Sequence, residues 1–122
     1  MIGYVTIGTN NLTAAAAFFD ALLTELSARR VLNNERMVMW GNGRGKPMLA
    51  ICTPWDQGEA SAGNGTMIAL QLESKEQVER LHAKALELGG TDEGAAGERM
   101  PGFYGAYFRD LDGNKFVGYT MG

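Results

Sequence analysis

The sequence of 122 residues is poor in several of the residues from which sites and scaffolds are commonly built. A single cysteine, Cys52, excludes an intrachain disulfide and fits a reducing compartment. No stretch approaches the roughly 20 uninterrupted apolar residues of a membrane-spanning helix, and the N-terminus lacks the basic-then-apolar layout of a secretory signal. A cytoplasmic location is therefore expected. With a net charge of −3 and no run of basic residues, nothing in the sequence offers a surface to phosphate backbones or anionic lipid, so neither nucleic acid nor a membrane is an expected partner. Histidine is equally scarce, since His82 is the only one.

What is present is an ordinary globular composition. Apolar residues make up 45% and charged residues 20%, which excludes global disorder, and the length suits one core but not two. A single domain over 1–122 is expected, with two internal modules at about 1–56 and 64–122.

Periodicity supports two similar halves. Ile2 to Gly8 alternates, with Val5 and Ile7 on one face and Tyr4 and Thr6 on the other. Asn10 or Asn11 can cap the following helix, whose Ala15, Phe19, Leu22 and Leu26 fall on one side at helical spacing. Strands are predicted at Arg29–Asn33, Met37–Trp40 and Met48–Thr53, the last two joined by the glycine-rich hairpin loop Gly41 to Lys46. A polar connector from Pro54 to Gly65 separates the halves. Thr66 to Leu72 alternates again, and Ser74-Lys75-Glu76-Gln77 is a capping-box pattern in which the glutamine reaches back to the cap. The second helix carries Val78, Leu81, Ala85 and Leu88 on its apolar stripe and ends at Gly89-Gly90. Strands at Ala96–Met100, Gly105–Arg109 and Lys115–Thr120 complete it, the last two joined by the turn Asp110-Leu111-Asp112-Gly113-Asn114.

Each half reads βαβββ, so the fold class is α+β. A four-stranded sheet buries one face under its helix and leaves the other open. Two such curled sheets, edge to edge, form an incomplete, cup-shaped barrel. Alternation assigns Tyr4, Thr6, Met67, Ala69, Gln71, Tyr107, Val117 and Tyr119 to the inner wall. Two strands leave the choice open, Met37 and Met39 against Val38 and Trp40, and Met48, Ala50 and Cys52 against Leu49 and Ile51.

This order, with the opening Ile2-Gly3-Tyr4-Val5-Thr6-Ile7-Gly8-Thr9-Asn10-Asn11-Leu12 and the closing Phe103-Tyr104-Gly105-Ala106-Tyr107-Phe108-Arg109-Asp110-Leu111-Asp112-Gly113-Asn114-Lys115, resembles the glyoxalase, bleomycin-resistance and extradiol dioxygenase group, the vicinal oxygen chelate superfamily. The resemblance implies a glyoxalase-like cup, a homodimer, and in metal-dependent members a divalent ion held by His, Glu or Gln. It places three of those ligand positions on Tyr4, Met67 and Val117, and the fourth in the strand at Met48 to Thr53. None of these carries an ordinary ligand, and no His, Asp or Glu occurs between Gly41 and Trp55. No metal and no other cofactor are expected.

The other chemical candidates are modest. His82 falls on the second helix, on the side opposite the cup. Cys52 has no histidine nearby to activate it and reads as a small buried thiol. Asp110 and Asp112 lack the rest of a calcium loop and are turn formers. Gly41 to Lys46 is one residue short of a phosphate loop, with Pro47 where Ser or Thr belongs, although Arg44 and Lys46 can hold an anion at the cup's mouth. Tyr4, Trp40, Met67, Gln71, Tyr107, Val117 and Tyr119 are the expected ligand-binding residues, an apolar wall with polar handles. The expected function is binding or sequestration of a small apolar or aromatic molecule. A glyoxalase-like lyase or isomerase using Tyr4 or Tyr107 as proton donor, and a non-catalytic interaction protein with a filled cup, are the alternatives.

Overall fold

The computed structural model describes residues 1–122. The elements run β1 (Tyr4–Gly8), α1 (Leu12–Leu22), a 3-10 turn (Leu23–Leu26), β2 (Arg29–Asn33), β3 (Met37–Gly41), β4 (Met48–Cys52), β5 (Ile68–Gln71), α2 (Lys75–Glu87), β6 (Thr91–Met100), β7 (Phe103–Arg109) and β8 (Lys115–Met121). The order βαβββ occurs twice, in two open four-stranded sheets and not a closed barrel, with strand orders β1-β4-β3-β2 and β5-β8-β7-β6. In each sheet the first strand pairs parallel with the last, because the helix carries the chain over one face before the three antiparallel strands return.

Local chemistry starts each helix. Asn11 accepts from the amide of Ala14 at 3.0 Å to open α1, and the Ser74 hydroxyl accepts from the amide of Gln77 at 3.1 Å to open α2. The Gln77 carbonyl oxygen accepts from the amide of Glu73 at 2.8 Å, one residue before the cap and not at the cap itself. Its amide nitrogen is thereby free to donate to the carbonyl of Glu25, which ties α2 to the 3-10 turn. Gly89 ends α2 in the left-handed region at φ 103. The largest departure from expectation is β6, which begins at Thr91 instead of Ala96. Register shifts between Asp92 and Gly94 and between Gly94 and Gly97 break its alternation, which hid the strand from a period-2 reading.

The core joins both halves. Seventeen buried residues form one cluster, drawn from α1, the 3-10 turn, β3, β4, Leu72 just after β5, α2, β7 and β8. Phe19 on α1 is its centre, 5.8 Å from Trp40 on β3 and 5.5 Å from Phe116 on β8, and Phe116 stacks on Phe108 at 5.4 Å. Burying side chains of this size contributes about 1.5–3 kcal/mol each. Val38, Trp40, Leu49 and Ile51 all belong to the cluster, which settles the two open alternations: these residues lie under the helices. Met37, Met39, Met48, Ala50 and Cys52 take the other face.

The turn between β7 and β8 closes the structure against β1. Asp110 is buried, and its Oδ1 accepts from the amides of Asp112 and Asn114, each at 2.9 Å. The Asn114 side-chain nitrogen donates to Asp110 Oδ2 at 2.9 Å and to the carbonyl of Gly8 at 3.0 Å. Asp112 accepts from the amide of Asn10 at 2.9 Å. Both aspartates thus build the turn and its contact with the first strand.

Candidate functional site

The faces not covered by helices are where a ligand has access. On the first sheet, register sets Tyr4 beside Met48, Thr6 beside Ala50 and Gly8 beside Cys52. Ala50 is fully buried, and Met39 and Cys52 nearly so, yet none belongs to the core cluster; they form a packed apolar floor on the uncovered side. Tyr4 stands above it, 56% exposed.

On the second sheet, Val117 lies between Ala69 and Tyr107, and Tyr119 between Gln71 and Gly105. Val117 is buried, and a Cβ on Gly105 would come within 3.2 Å of it. The Phe103 ring stacks on Tyr119 with centroids 5.2 Å apart and planes 8° from parallel, across the space that Gly105 leaves. Tyr107 carries two cations near its ring, Arg99 at 5.3 Å and Lys115 at 5.6 Å. Gln71 is exposed, and Met67, just before β5, is 44% exposed.

Of the residues expected to meet a ligand, one lies elsewhere. Trp40 faces the helix, is 2% exposed, packs on Phe19 and donates its indole N–H to Asp20 at 2.9 Å. It shares the helix-covered side of β3 with Val38, so it cannot reach the uncovered face. Gln71, Tyr107, Val117 and Tyr119 share one face of the second sheet, and Tyr4 lies on the uncovered face of the first.

The connector contributes residues that the pattern of strands did not point to. A cavity of about 460 Å³ lies between Thr6, Gly8 and Cys52 on one side and Trp55, Asp56 and Glu59 on the other. Trp55 is 83% exposed, with the Arg36 guanidinium 5.1 Å from its ring centre. Arg36 also donates to the carbonyl of Thr53 at 2.8 Å. Asn10 pins the connector by exchanging two hydrogen bonds with Ala60, at 3.1 and 2.7 Å. The signal available in the sequence was a lone tryptophan in a polar, glycine-rich segment.

The carboxyls whose acidity departs from the ordinary lie away from these faces. Arg30 holds Asp20 below the usual range, with the Trp40 indole adding to the effect against partial burial. The Gly94 amide and His82 do the same for Asp92, while burial pushes Asp110 up. His82 itself is on α2, 3.1 Å from Asp92.

Among solved structures, a glyoxalase/bleomycin resistance protein from Albidiferax ferrireducens T118 is similar over 100% of this chain and 99% of its own, with 32% identity and a TM-score of 0.91. The chain belongs to the glyoxalase/bleomycin resistance family. Two more distant structures share the fold. One is a glyoxalase/bleomycin resistance protein/dioxygenase family enzyme from Burkholderia phytofirmans PsJN, at 20% identity over 98% and 97% of the two chains and a TM-score of 0.79. The other is a lactoylglutathione lyase from Agrobacterium tumefaciens, at 22% identity over 98% and 92% and a TM-score of 0.73. No family model matches the chain, and no curated protein matches it.

The donor set of this family member does not fit a divalent ion. The positions to which the resemblance assigns ligands hold the phenol of Tyr4, the thioether of Met67 and the isopropyl group of Val117. The uncovered face of β4 offers Met48, Ala50 and Cys52. No three His, Cys, Asp or Glu side chains converge anywhere in the structure. Hard or borderline divalent ions need several oxygen or imidazole donors, which this set does not supply.

Proposed function

We propose that this glyoxalase-family chain binds a small apolar or aromatic molecule on its uncovered sheet faces without a metal, and that it does so as a homodimer in the cytoplasm, with 1–122 acting as one domain. The observation that carries this reading is the combination of an apolar, packed floor with large rings and thioethers left open to solvent. Met39, Ala50 and Cys52 form such a floor on the first sheet, where Tyr4 remains 56% exposed, and Val117 is buried on the uncovered face of the second, where Met67, just before β5, remains 44% exposed. Surfaces of that kind mark ligand or protein contacts, and Gln71 and the tyrosine hydroxyls give it polar handles.

The homodimer is supported by the extent of the exposed apolar surface. Tyr4, Val31, Leu32, Met67 and Met121 are all at least 40% exposed, so a second copy packed over these faces would enclose the ligand and remove apolar area from water. The cytoplasmic assignment is supported by a lone, buried free thiol and by the lack of any helix long and apolar enough to cross a membrane.

The test pairs binding with turnover. Titration of the purified protein with benzyl alcohol and larger aromatic alcohols, read by tyrosine fluorescence and by amide shifts, is expected to locate binding at Tyr4, Gln71 and Tyr119. Stoichiometric metal in the purified protein, with activity lost on chelation, would overturn the metal-free reading in favour of a metalloenzyme. Light scattering that gives a monomer at micromolar concentration would overturn the homodimer.

A further inference from the structure

Most of the basic side chains of this protein are partnered. Of its eleven Lys and Arg residues, Arg30, Arg80 and Arg109 are in ion pairs with acids. Lys84 donates to Thr24, Arg36 to the carbonyl of Thr53 and Arg99 to that of Ala95, while Lys75 and Lys115 lie against tyrosine rings. The remaining three are Arg29, Arg44 and Lys46. All three line one cavity of about 490 Å³, and no carboxylate lines it with them.

The cavity is built by the β3–β4 hairpin loop and the start of β2. Its other lining residues are Ser27, Val31, Gly41, Asn42, Gly43, Gly45 and Met48, and Asn42 anchors the loop by donating to the carbonyl of Leu26 at 3.1 Å. Gly45, at φ 77, gives the loop its tight turn. Gly41 keeps the floor open, because a Cβ there would come within 3.0 Å of Met48 and 3.6 Å of Val31. In a chain of net charge −3, three unneutralised cations around a concave surface create a local positive potential that the sequence as a whole lacks. Arginine and lysine together supply planar and point-charge donors suited to carboxylate or phosphate oxygens.

We propose that this cavity is an anion-binding subsite for a carboxylate- or phosphate-bearing small molecule, whose apolar body lies along Val31 and Met48 toward Tyr4. Register puts Met48 directly beside Tyr4, so the cavity opens onto the uncovered face already described. The anion site stands on the three cations. That its occupant is one end of the ligand on the uncovered face rests on the proposed function.

The experiment uses the full chain and four probes: inorganic phosphate, phenyl phosphate, benzoate and benzyl alcohol, followed by amide shifts and calorimetry. The expected result is that phenyl phosphate or benzoate shifts the amides of Asn42 to Lys46 and binds at least about tenfold more tightly than benzyl alcohol, with affinity falling as salt rises. The relative strength of the phosphate and carboxylate arms identifies which anion the site prefers. The double variant R44A/K46A, and separately Arg29→Gln, should weaken the anionic probes by about tenfold and leave benzyl alcohol unchanged. These side chains are exposed, and an unchanged melting curve verifies the fold of each variant. Equal affinity for charged and neutral probes, anion shifts away from the hairpin loop, no effect of the variants, or no binding of any anion would each overturn the subsite. Benzyl alcohol bound at Tyr4 with no preference for charge would overturn the anion site and leave the uncovered face as the binding surface. Inorganic phosphate binding as tightly as phenyl phosphate, with no shift at Tyr4, would keep the anion site and remove the shared ligand.

Discussion

The indole N–H of Trp40 donates to Asp20 Oδ1 at 2.9 Å, and the same carboxylate receives Arg30 through two contacts at 3.0 and 2.7 Å. One acidic side chain on α1 thus satisfies a buried indole on β3 and positions a surface arginine on β2. Replacing it by alanine leaves the Trp40 donor without a partner at a site that is 2% exposed. Asp20→Ala should lower stability by about 1–3 kcal/mol, read by chemical denaturation. Asp20→Asn keeps an acceptor for the indole and loses only the half-exposed ion pair, which is worth about 0–1 kcal/mol.

The same carboxylate sets a pH dependence. Asp20 is held below its ordinary value of 3.8, chiefly by Arg30, so its contribution is present above that value and is lost as pH falls through the lower, folded value. Asp110 acts in the opposite direction. Burial raises it, so its contribution is fully present below 3.8 and declines as pH rises through its folded value. Stability measured from neutral to acidic pH should therefore fall less steeply in Asp20→Asn than in the parent protein. An identical acid limb in both would contradict this assignment.

Asn114 joins the final turn to the first strand through Asp110 and the Gly8 carbonyl. Asn114→Ala removes both contacts and leaves the buried Asp110 carboxyl with fewer donors. A loss of about 1–3 kcal/mol is expected from thermal or denaturant unfolding, with no change in the affinity of an aromatic ligand.

Gly90 has no room for a side chain. A Cβ there would lie 2.8 Å from the carbonyl oxygens of Ala85 and Arg109, both backbone atoms that cannot swing aside. Gly90→Ala should destabilise by about 1–3 kcal/mol through forced backbone movement. Gly3→Ala, where nothing lies within 4 Å, is the control and should remain within about 0.5 kcal/mol of the parent.

Trp40 and Tyr4 should separate stability from binding. Trp40→Ala empties part of the core and should cost about 3–5 kcal/mol. Tyr4→Ala, at an exposed ring, should leave the melting temperature nearly unchanged and weaken binding of benzyl alcohol. A Tyr4→Ala protein that binds this probe as well as the parent would remove the first sheet from the site.

The fold was legible because its elements announce themselves locally. Asn11 and Ser74 cap, Gly89 terminates, and β1 and β5 alternate. β6 is legible only from Ala96 onward, because register shifts around Gly94 and Gly97 break the period of two. The side taken by Trp40 is not legible for another reason: in the strand Met37-Val38-Met39-Trp40 both faces are apolar, and only packing against Phe19 decides which lies under the helix. The cation-lined cavity was the least visible feature. Arg44 and Lys46 suggested an anion contact at the mouth, but Arg29, from another strand, joins them only in three dimensions. A sequence without a basic run gives no sign that these three residues line one cavity.

Phe19 touches the tryptophan of one sheet and the phenylalanine of the other. A fragment ending at residue 56 would therefore display a greasy helix with half its neighbours missing, and the complementary fragment would lack the ring that fills its centre. The repeat seen along the chain is thus a repeat of topology alone, and the two copies should melt in a single transition.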